Sequence, residues 1–342
     1  VEGPELEFDW LDWEGDALVP GDTATAYITL LNIGEKGTAE LEGNLISLTS
    51  TIEVLRGNLS FDRMEAGDDV ESDGLVTIIA SGFHLRGTKA DFALALEDEN
   101  GFQDTSFFSL TISEVRTGEP FGLDNYGYIC IDNTADSFPN HPRFNWIEID
   151  PTRGGSGTNT NLRDIDEEYD RSIVIWLPFE FIYYGETFDR LTICSNGWVA
   201  FGDYSMLNSA RNRHIPSGEV VPAMLCPFWD DLVTLENSGI YYWYDEGENR
   251  LIVEWSNLTR LGPRNFAEAT ETFQVILLDP ARHPTATGDG DIIFQYLEVE
   301  DARSAFQLWD TPYATVGIAS PDQTDGIEIA YWGQLHPGAA PL

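Results

Sequence analysis

Lysine is almost missing. Lys36 and Lys89 are the only two in 342 residues, and the remaining cations are arginines. Against 18 Lys and Arg stand 59 Asp and Glu, a formal net charge of −41. A chain so poor in cations offers no basic groove to a phosphate backbone, which argues against nucleic acid and equally against an anionic membrane surface as partners. No run of about 18 apolar residues occurs, so no transmembrane helix is expected and no membrane insertion. Cysteine is scarce too. Cys130, Cys194 and Cys226 show no C-x-x-C spacing, which argues against structural zinc. An odd number permits one disulfide plus a free thiol, with no spacing that selects a pair; the apolar, strand-like surroundings of all three favour buried thiols. The histidines, His84, His141, His214, His283 and His336, are scattered singly, without a metal-binding H-x-x-x-H pattern. Neither a Gly-rich phosphate loop after a strand nor a G-x-S-x-G elbow is present. The chain opens on Val1-Glu2 without a starting Met or an apolar leader, and is expected to be a processed product or a piece of a longer protein.

What is present is β-structure. Hydrophobic residues make up 42% of the chain, enough for packed cores in spite of the charge. Along residues 1–115, Ala24, Ala26, Ile28 and Leu30 alternate with Thr and Tyr after a Pro20-Gly21-Asp22 turn. Further short apolar stretches lie near Leu41, 46–48, 52–55, 75–80, 92–96 and 107–112, separated by turn signals about every 10 residues, the spacing of an immunoglobulin-like sandwich. Residues 116–124, with Gly118, Pro120 and Gly122, read as a linker. Residues 125–342 read as a second, larger, aromatic-rich sandwich. The expected fold class is therefore all-β, with two β-sandwich domains, the first Ig-like and the second jelly-roll-like.

The second half is organised around Trp176 to Gly202. Phe179, Phe181 and Tyr183 alternate with Glu180, Ile182 and Tyr184, and Gly185 breaks the run. Ser195-Asn196-Gly197 is a tight turn, since Asn and Gly accept positive φ. Beyond it Trp198, Ala200 and Gly202 share one side of a strand, with Val199 and Phe201 on the other. The pattern L-P-F-x-F-x-x-Y-G, then I-C-S-N-G-W-x-x-F-G, then P-F-W-D-D-L at 227–232, resembles an all-β module near the C-termini of large secreted bacterial proteins. Gingipain-like cysteine peptidases, subtilisin-like peptidases and multidomain surface proteins are among these. Matching blocks continue at 126–134, 144–149 (F-N-W-I-E-I), 271–280, 288–296 and 314–326. The first half bears a weaker resemblance to bacterial cell-adhesion-related modules. In such proteins the module is an appendage, so the resemblance implies fold and an extracellular or cell-surface location and carries no activity. It also makes residues 336–342 similar to the loop before a closing strand, which leaves two readings: a chain end set by proteolytic cutting, or an open sheet edge completed by another chain.

The acids leave two readings open: solubility in a saline medium, or Ca2+ binding at acidic loops. Candidate ligands are Asp132, Asn133 and Asp136 in D-N-T-A-D, and Asp289 and Asp291 in G-D-G-D. The rival reading for each is a turn in which the side chain bonds local backbone. A further patch, Asp164, Asp166, Glu167 and Glu168, does not fit an EF-hand loop. Ser195, His214 and Asp230 can be drawn as a catalytic set, but a hairpin-turn serine lacks the strained elbow of a nucleophile, and no enzyme activity is expected. Trp10 with Trp13, or Tyr241 to Tyr244, are candidate sugar-stacking platforms. Asn58-Leu-Ser and Asn257-Leu-Thr are glycosylation sequons. The resulting expectation is a non-catalytic structural or adhesive extracellular module, self-associating into filaments by strand complementation or partnered by other domains of its precursor. The alternative is a carbohydrate-binding accessory module that takes glycans.

Overall fold

The computed structural model describes residues 3–138, 140–165, 170–260, 270–299 and 314–340. It divides into two compact units, Val1–Arg116 and Thr117–Leu342. Among the described residues there is no α-helix, and so none long and apolar enough to cross a membrane.

The first unit contains β1 (Leu6–Trp13), β2 (Thr23–Asn32), β3 (Leu41–Ser47), β4 (Ile52–Arg56) and β5 (Asn58–Phe61). It continues with β6 (Asp69–Glu71), β7 (Val76–Ala80), β8 (Lys89–Asp98) and β9 (Gln103–Thr111). They form two antiparallel sheets, β1-β2-β7-β4 with β6 also on β2, and β5-β3-β8-β9. Alternation along β2 turns Ala24, Ala26, Ile28 and Leu30 inward. There they meet Phe92 and Leu94 of the other sheet in one core, as in a sandwich. Each such fully buried Ile, Leu or Phe stabilises by roughly 1.5–3 kcal/mol. No strand was expected over Leu6–Trp13. A bulge between Phe8 and Trp10 breaks the two-residue period there, and acids fill the alternate positions.

The second unit opens with β10 (Phe121–Gly122) and β11 (Ile129–Cys130), a 3-10 turn at Pro151–Arg153, and β12 (Thr158–Asn159). Then come β13 (Ser172–Tyr183), β14 (Glu186–Cys194), β15 (Trp198–Phe201), β16 (Met224–Trp229), β17 (Leu232–Asp245) and β18 (Arg250–Arg260). The last are β19 (Glu271–Leu278), β20 (Ile292–Val299), β21 (Thr315–Ala319), β22 (Gly326–Tyr331) and β23 (Gln334–Leu335). One sheet has the order β12-β17-β18-β19-β20, the other β13-β14-β15-β16-β21-β22-β23. Much of the expected linker belongs to this unit. Phe121 is buried and stacks on His336 with ring centroids 4.4 Å apart, so an apolar anchor docks what composition alone marks as a spacer.

The two sheets are bridged through their interior. Trp255 Nε1 donates to Cys194 O at 2.9 Å, Tyr296 Oη donates to Pro227 O at 2.7 Å, and the Phe228 and Phe273 rings lie 5.4 Å apart. The outer face of the seven-stranded sheet is covered as well, because Ile215, Val220 and Val221 pack on Trp198, Met224, Cys226 and Trp229. That double burial explains why every residue of β15 and β16 is inaccessible. A register shift between Cys226 and Trp229 exchanges the faces, sending Phe228 inward and Trp229 outward. All three cysteines are free thiols, and burial pushes those of Cys130 and Cys194 up to about 12.

Candidate functional site

The turn between β14 and β15 brings the polar residues of the central motif together. Gly197 has φ +73°, and a Cβ there would overlap the Phe228 carbonyl, so the turn admits only glycine next to β16. This close approach lets Phe228 N donate to Gly197 O at 3.2 Å and Asp230 N donate to Asn196 O at 3.3 Å. Asn196 Oδ1 accepts from Leu232 N at 3.0 Å, and its Nδ2 donates to Asp170 Oδ1 at 2.9 Å. Ser195 Oγ donates to Asp164 Oδ2 at 2.6 Å and accepts from Arg171 N at 3.1 Å. The S-N-G and W-D-D blocks, about 30 residues apart in the chain, thus form one knot. The indoles of Trp198 and Trp229 converge on a single acceptor, the Ser209 carbonyl, at 3.0 and 2.8 Å.

The knot is acidic and closed. Asp164 is 0% exposed and its Oδ1 has no hydrogen-bond partner among the described residues. Burial pushes its carboxyl up to about 7, with the Ser195 bond opposing and Asp170 adding to the rise. Asp230 is buried with Oδ2 3.6 Å from Arg260 Nη1; burial raises its carboxyl and the guanidinium opposes that. Asp164 therefore holds its proton close to neutrality, out of contact with solvent.

The drawn Ser195/His214/Asp230 set does not assemble. Ser195 is bonded to Asp164, His214 is two-thirds exposed with Nδ1 3.0 Å from Glu328 Oε2, and Asp230 faces Arg260. Of the proposed calcium ligands, Asp132 makes the turn: Oδ1 accepts from Thr134 N at 2.8 Å and Thr134 Oγ1 at 2.6 Å, while Oδ2 accepts from Ala340 N at 2.8 Å. Asn133 and Asp136 are exposed beside it. Asp289 is buried and ties two segments, accepting from Gly185 N at 2.9 Å and from Tyr126 Oη at 2.8 Å. Asp291 is exposed. Among the described residues no three His, Cys, Asp or Glu side chains form a metal-holding group. Asp166, Glu167 and Glu168 lie outside the described residues.

The aromatic platforms separate. Trp10 is 65% exposed whereas Trp13 packs on the first core, and Tyr241 is buried. Trp176 on β13 is 71% exposed, with the Arg190 guanidinium 5.2 Å from its ring centre. Asn58 is exposed on β5; Asn257 is half-buried within β18. Sequence reasoning missed Asp164 and Asp170 as partners of Ser195 and Asn196. The signal was a serine and an asparagine set between two strands that bury every residue near them.

A family profile described as NIDO related matches residues 147–333, more than half of the chain. The match spans both sheets of the second unit; it is to this family and not to the gingipain-like modules that the motifs resemble. No curated protein matches the chain. Among solved structures, a conjugative transposon lipoprotein from Bacteroides eggerthii is 14% identical, with 31% of this chain and 93% of that one covered and a TM-score of 0.19. The cupredoxin domain of amoB from Nitrosocaldus yellowstonii is 8% identical, with 32% and 86% covered and a TM-score of 0.20. BcpA, the major pilin subunit of Bacillus cereus, is 6% identical, with 88% and 67% covered and a TM-score of 0.17. These likenesses are too distant to bear on function.

Proposed function

The chain belongs to the NIDO-related family, and from that membership we propose that it is a non-catalytic extracellular module, structural or adhesive, of a secreted or cell-surface protein. One observation carries this reading. The motif residues Ser195, Asn196, Trp198, Trp229 and Asp230 are buried and bonded within the knot. Side chains placed that way hold a fold together and meet no substrate.

Assembly would use a sheet edge. β13 is the outermost strand of the seven-stranded sheet, 12 residues long, with a partner on one side only among the described residues. A strand from a second copy, or from another segment of the same precursor, would add to that edge. Pro178 and the break in pairing between Trp176 and Phe181 confine addition to its first half. High ionic strength or Ca2+ would offset the repulsion between such acidic bodies. Electron microscopy, with size-exclusion chromatography in high salt and with or without a calcium chelator, tests this. Ordered oligomers are expected, and chelator sensitivity would place cations at the joints; a monomer under every condition would refute assembly. Exposed Trp176 also favours a glycan-binding reading. Retention on polysaccharide columns that is lost in Trp176→Ala would establish it.

A further inference from the structure

Residues 145–149 cross the outer face of the five-stranded sheet as an extended strap. Side chains of a polar row, not backbone pairing, hold it there. Strand register places Tyr241, Glu254, Gln274 and Gln295 side by side on β17, β18, β19 and β20. Gln295 clasps Asn145 from both ends of its amide, Oε1 accepting from Asn145 N at 2.9 Å and Nε2 donating to Asn145 O at 3.1 Å. Gln274 Nε2 donates to Ile147 O, and Glu254 Oε2 accepts from Ile149 N at 3.3 Å. Alternate strap residues therefore meet successive strands. Ile147 and Ile149 add apolar contact with Ile252 and Ile276.

Glu254 and Gln274 are both 0% exposed, and Gln274 Nε2 donates to Glu254 Oε2 at 2.8 Å. The remaining oxygen of each, Oε1 of Glu254 and Oε1 of Gln274, has no hydrogen-bond partner among the described residues. The amide orientation is fixed, because exchanging its O and N would remove the donor to Ile147 O. Two lone-pair oxygens left on paired, buried side chains repel if the acid is ionised. We propose that Glu254 is a neutral carboxylic acid whose Oε1–H closes a two-bond ring with the Gln274 amide, and that loss of this proton releases the strap 145–149 from the sheet. The released proton goes to solvent and no other group changes charge.

Among the described residues no cation acts on Glu254. From the strap come two acids, Glu148, whose Oε1 accepts from Asp150 N at 2.8 Å, and Asp150, which accepts from Ser256 Oγ at 2.8 Å and Thr152 N at 2.7 Å. From β17 comes Tyr241, from β18 itself Ser256, and from β19 Thr272 and Gln274, all neutral. Arg153 of the 3-10 turn is exposed and acts on Tyr241. Burial, with Glu148 and Asp150 adding to it, pushes the Glu254 carboxyl well above the usual carboxylate range.

Once the strap is open, Glu254 meets water and titrates near 4.3. Between that value and its own raised value, each pH unit increases the open fraction by up to about tenfold. The test is hydrogen exchange of the intact chain at pH 5, 6 and 7, corrected for intrinsic chemical exchange and read over residues 143–150. In the parent protein, strap protection is expected to fall by up to about tenfold per pH unit; in Glu254→Gln, whose amide reproduces both bonds, it stays flat. A flat parent profile, or the same slope in E254Q, overturns the proposal. If E254Q does not fold, the infrared spectrum at pH 7 of the parent chain isotope-labelled at its glutamate carboxyls decides, because the label separates glutamate from the buried aspartates Asp164 and Asp230. A label-shifted protonated-carboxyl band supports a neutral Glu254, and its absence refutes it.

Discussion

Replacing Gly197 with alanine tests whether the S-N-G turn is shaped by the approach of β16. The effect has two sources that other glycines separate. At φ +73° an alanine occupies the left-handed region, at a cost of about 1–2 kcal/mol. Its Cβ would also overlap the Phe228 carbonyl and come within 3.0 Å of Leu232 Cδ1. Relief requires β16 to move, which loses the Phe228 N to Gly197 O bond and strains a region buried on both faces, about 1–3 kcal/mol more. The total of roughly 2–5 kcal/mol is a large part of the stability of an ordinary domain. Gly154 has φ +98° and nothing within 4 Å, so Gly154→Ala carries the conformational cost alone. Gly218 has open space and no positive φ, so Gly218→Ala carries neither. Urea unfolding followed by tryptophan fluorescence should rank the midpoints G218A above G154A above G197A. A G197A midpoint equal to that of G154A would refute the contact argument and leave a turn chosen for φ alone.

Asp164 binds its proton more tightly in the folded state than in the unfolded one, so stability falls as pH rises from about 4 to about 7 and levels off above, by no more than about 4 kcal/mol. In Asp164→Asn urea midpoints between pH 5 and 8 should lose most of that slope; an unchanged slope would show that Asp164 does not cause it. Asp289→Asn should cost about 1–3 kcal/mol by weakening the tie between Gly185 and Tyr126, with or without calcium; a cost seen only in calcium would make Asp289 a cation ligand. With a net charge of −41, the urea midpoint should rise with potassium chloride from 0.01 to about 1 M, as the screening length falls from about 30 to 3 Å; a midpoint indifferent to salt would mean that surface repulsion contributes little.

Much of the second sheet pair was legible because its strands alternate and its turns carry Gly and Asn. Thus the apolar stretches 273–278 and 292–296, on either side of a loop rich in Gly, Pro and Asp, read as a pair, and the structure aligns Phe273 with Tyr296 and Leu277 with Ile292. The turn Asp245–Asn249, with its Gly and Asn between two apolar stretches, is equally plain as a hairpin, though its strands run from Leu232 to Arg260, longer than their apolar segments. What escaped was whatever depends on distant register. Glu254, Gln274 and Gln295 interrupt apolar strands singly, and each looks like a defect until the sheet lines them up. The F-N-W-I-E-I block then reads as a strap with no backbone ladder, a structure for which periodicity has no signature. The Asp164–Ser195 bond joins residues 31 apart and was hidden for the same reason.

Scarcity of cations shapes the interior as well as the surface. A buried carboxylate is ordinarily offset by Lys or Arg, and this chain has 18 such residues for 59 acids. Asp230–Arg260 uses that solution, as does the half-buried Asp245–Arg250 pair. Most other buried acids described rely on neutral donors: Asp164 on Ser195, Asp124 and Asp289 on Tyr184 and Tyr126, Asp150 on Ser256 and Thr152, and Glu254 on Gln274. Neutral donors stabilise a carboxylate only in number. Asp98, with backbone N–H groups of Phe102, Ala39 and Asn100 aimed at it, is held below the usual range. In Asp150, burial raises the carboxyl but the donors outweigh it. Where one side-chain donor serves a buried acid, as at Asp164, desolvation prevails and the carboxyl is pushed up to about 7. A chain short of Lys and Arg thus leaves some interior carboxyls to hydrogen-bond donors alone, and burial raises their affinity for the proton. Salt would then act on the surface term, and pH near neutrality on these few interior protons.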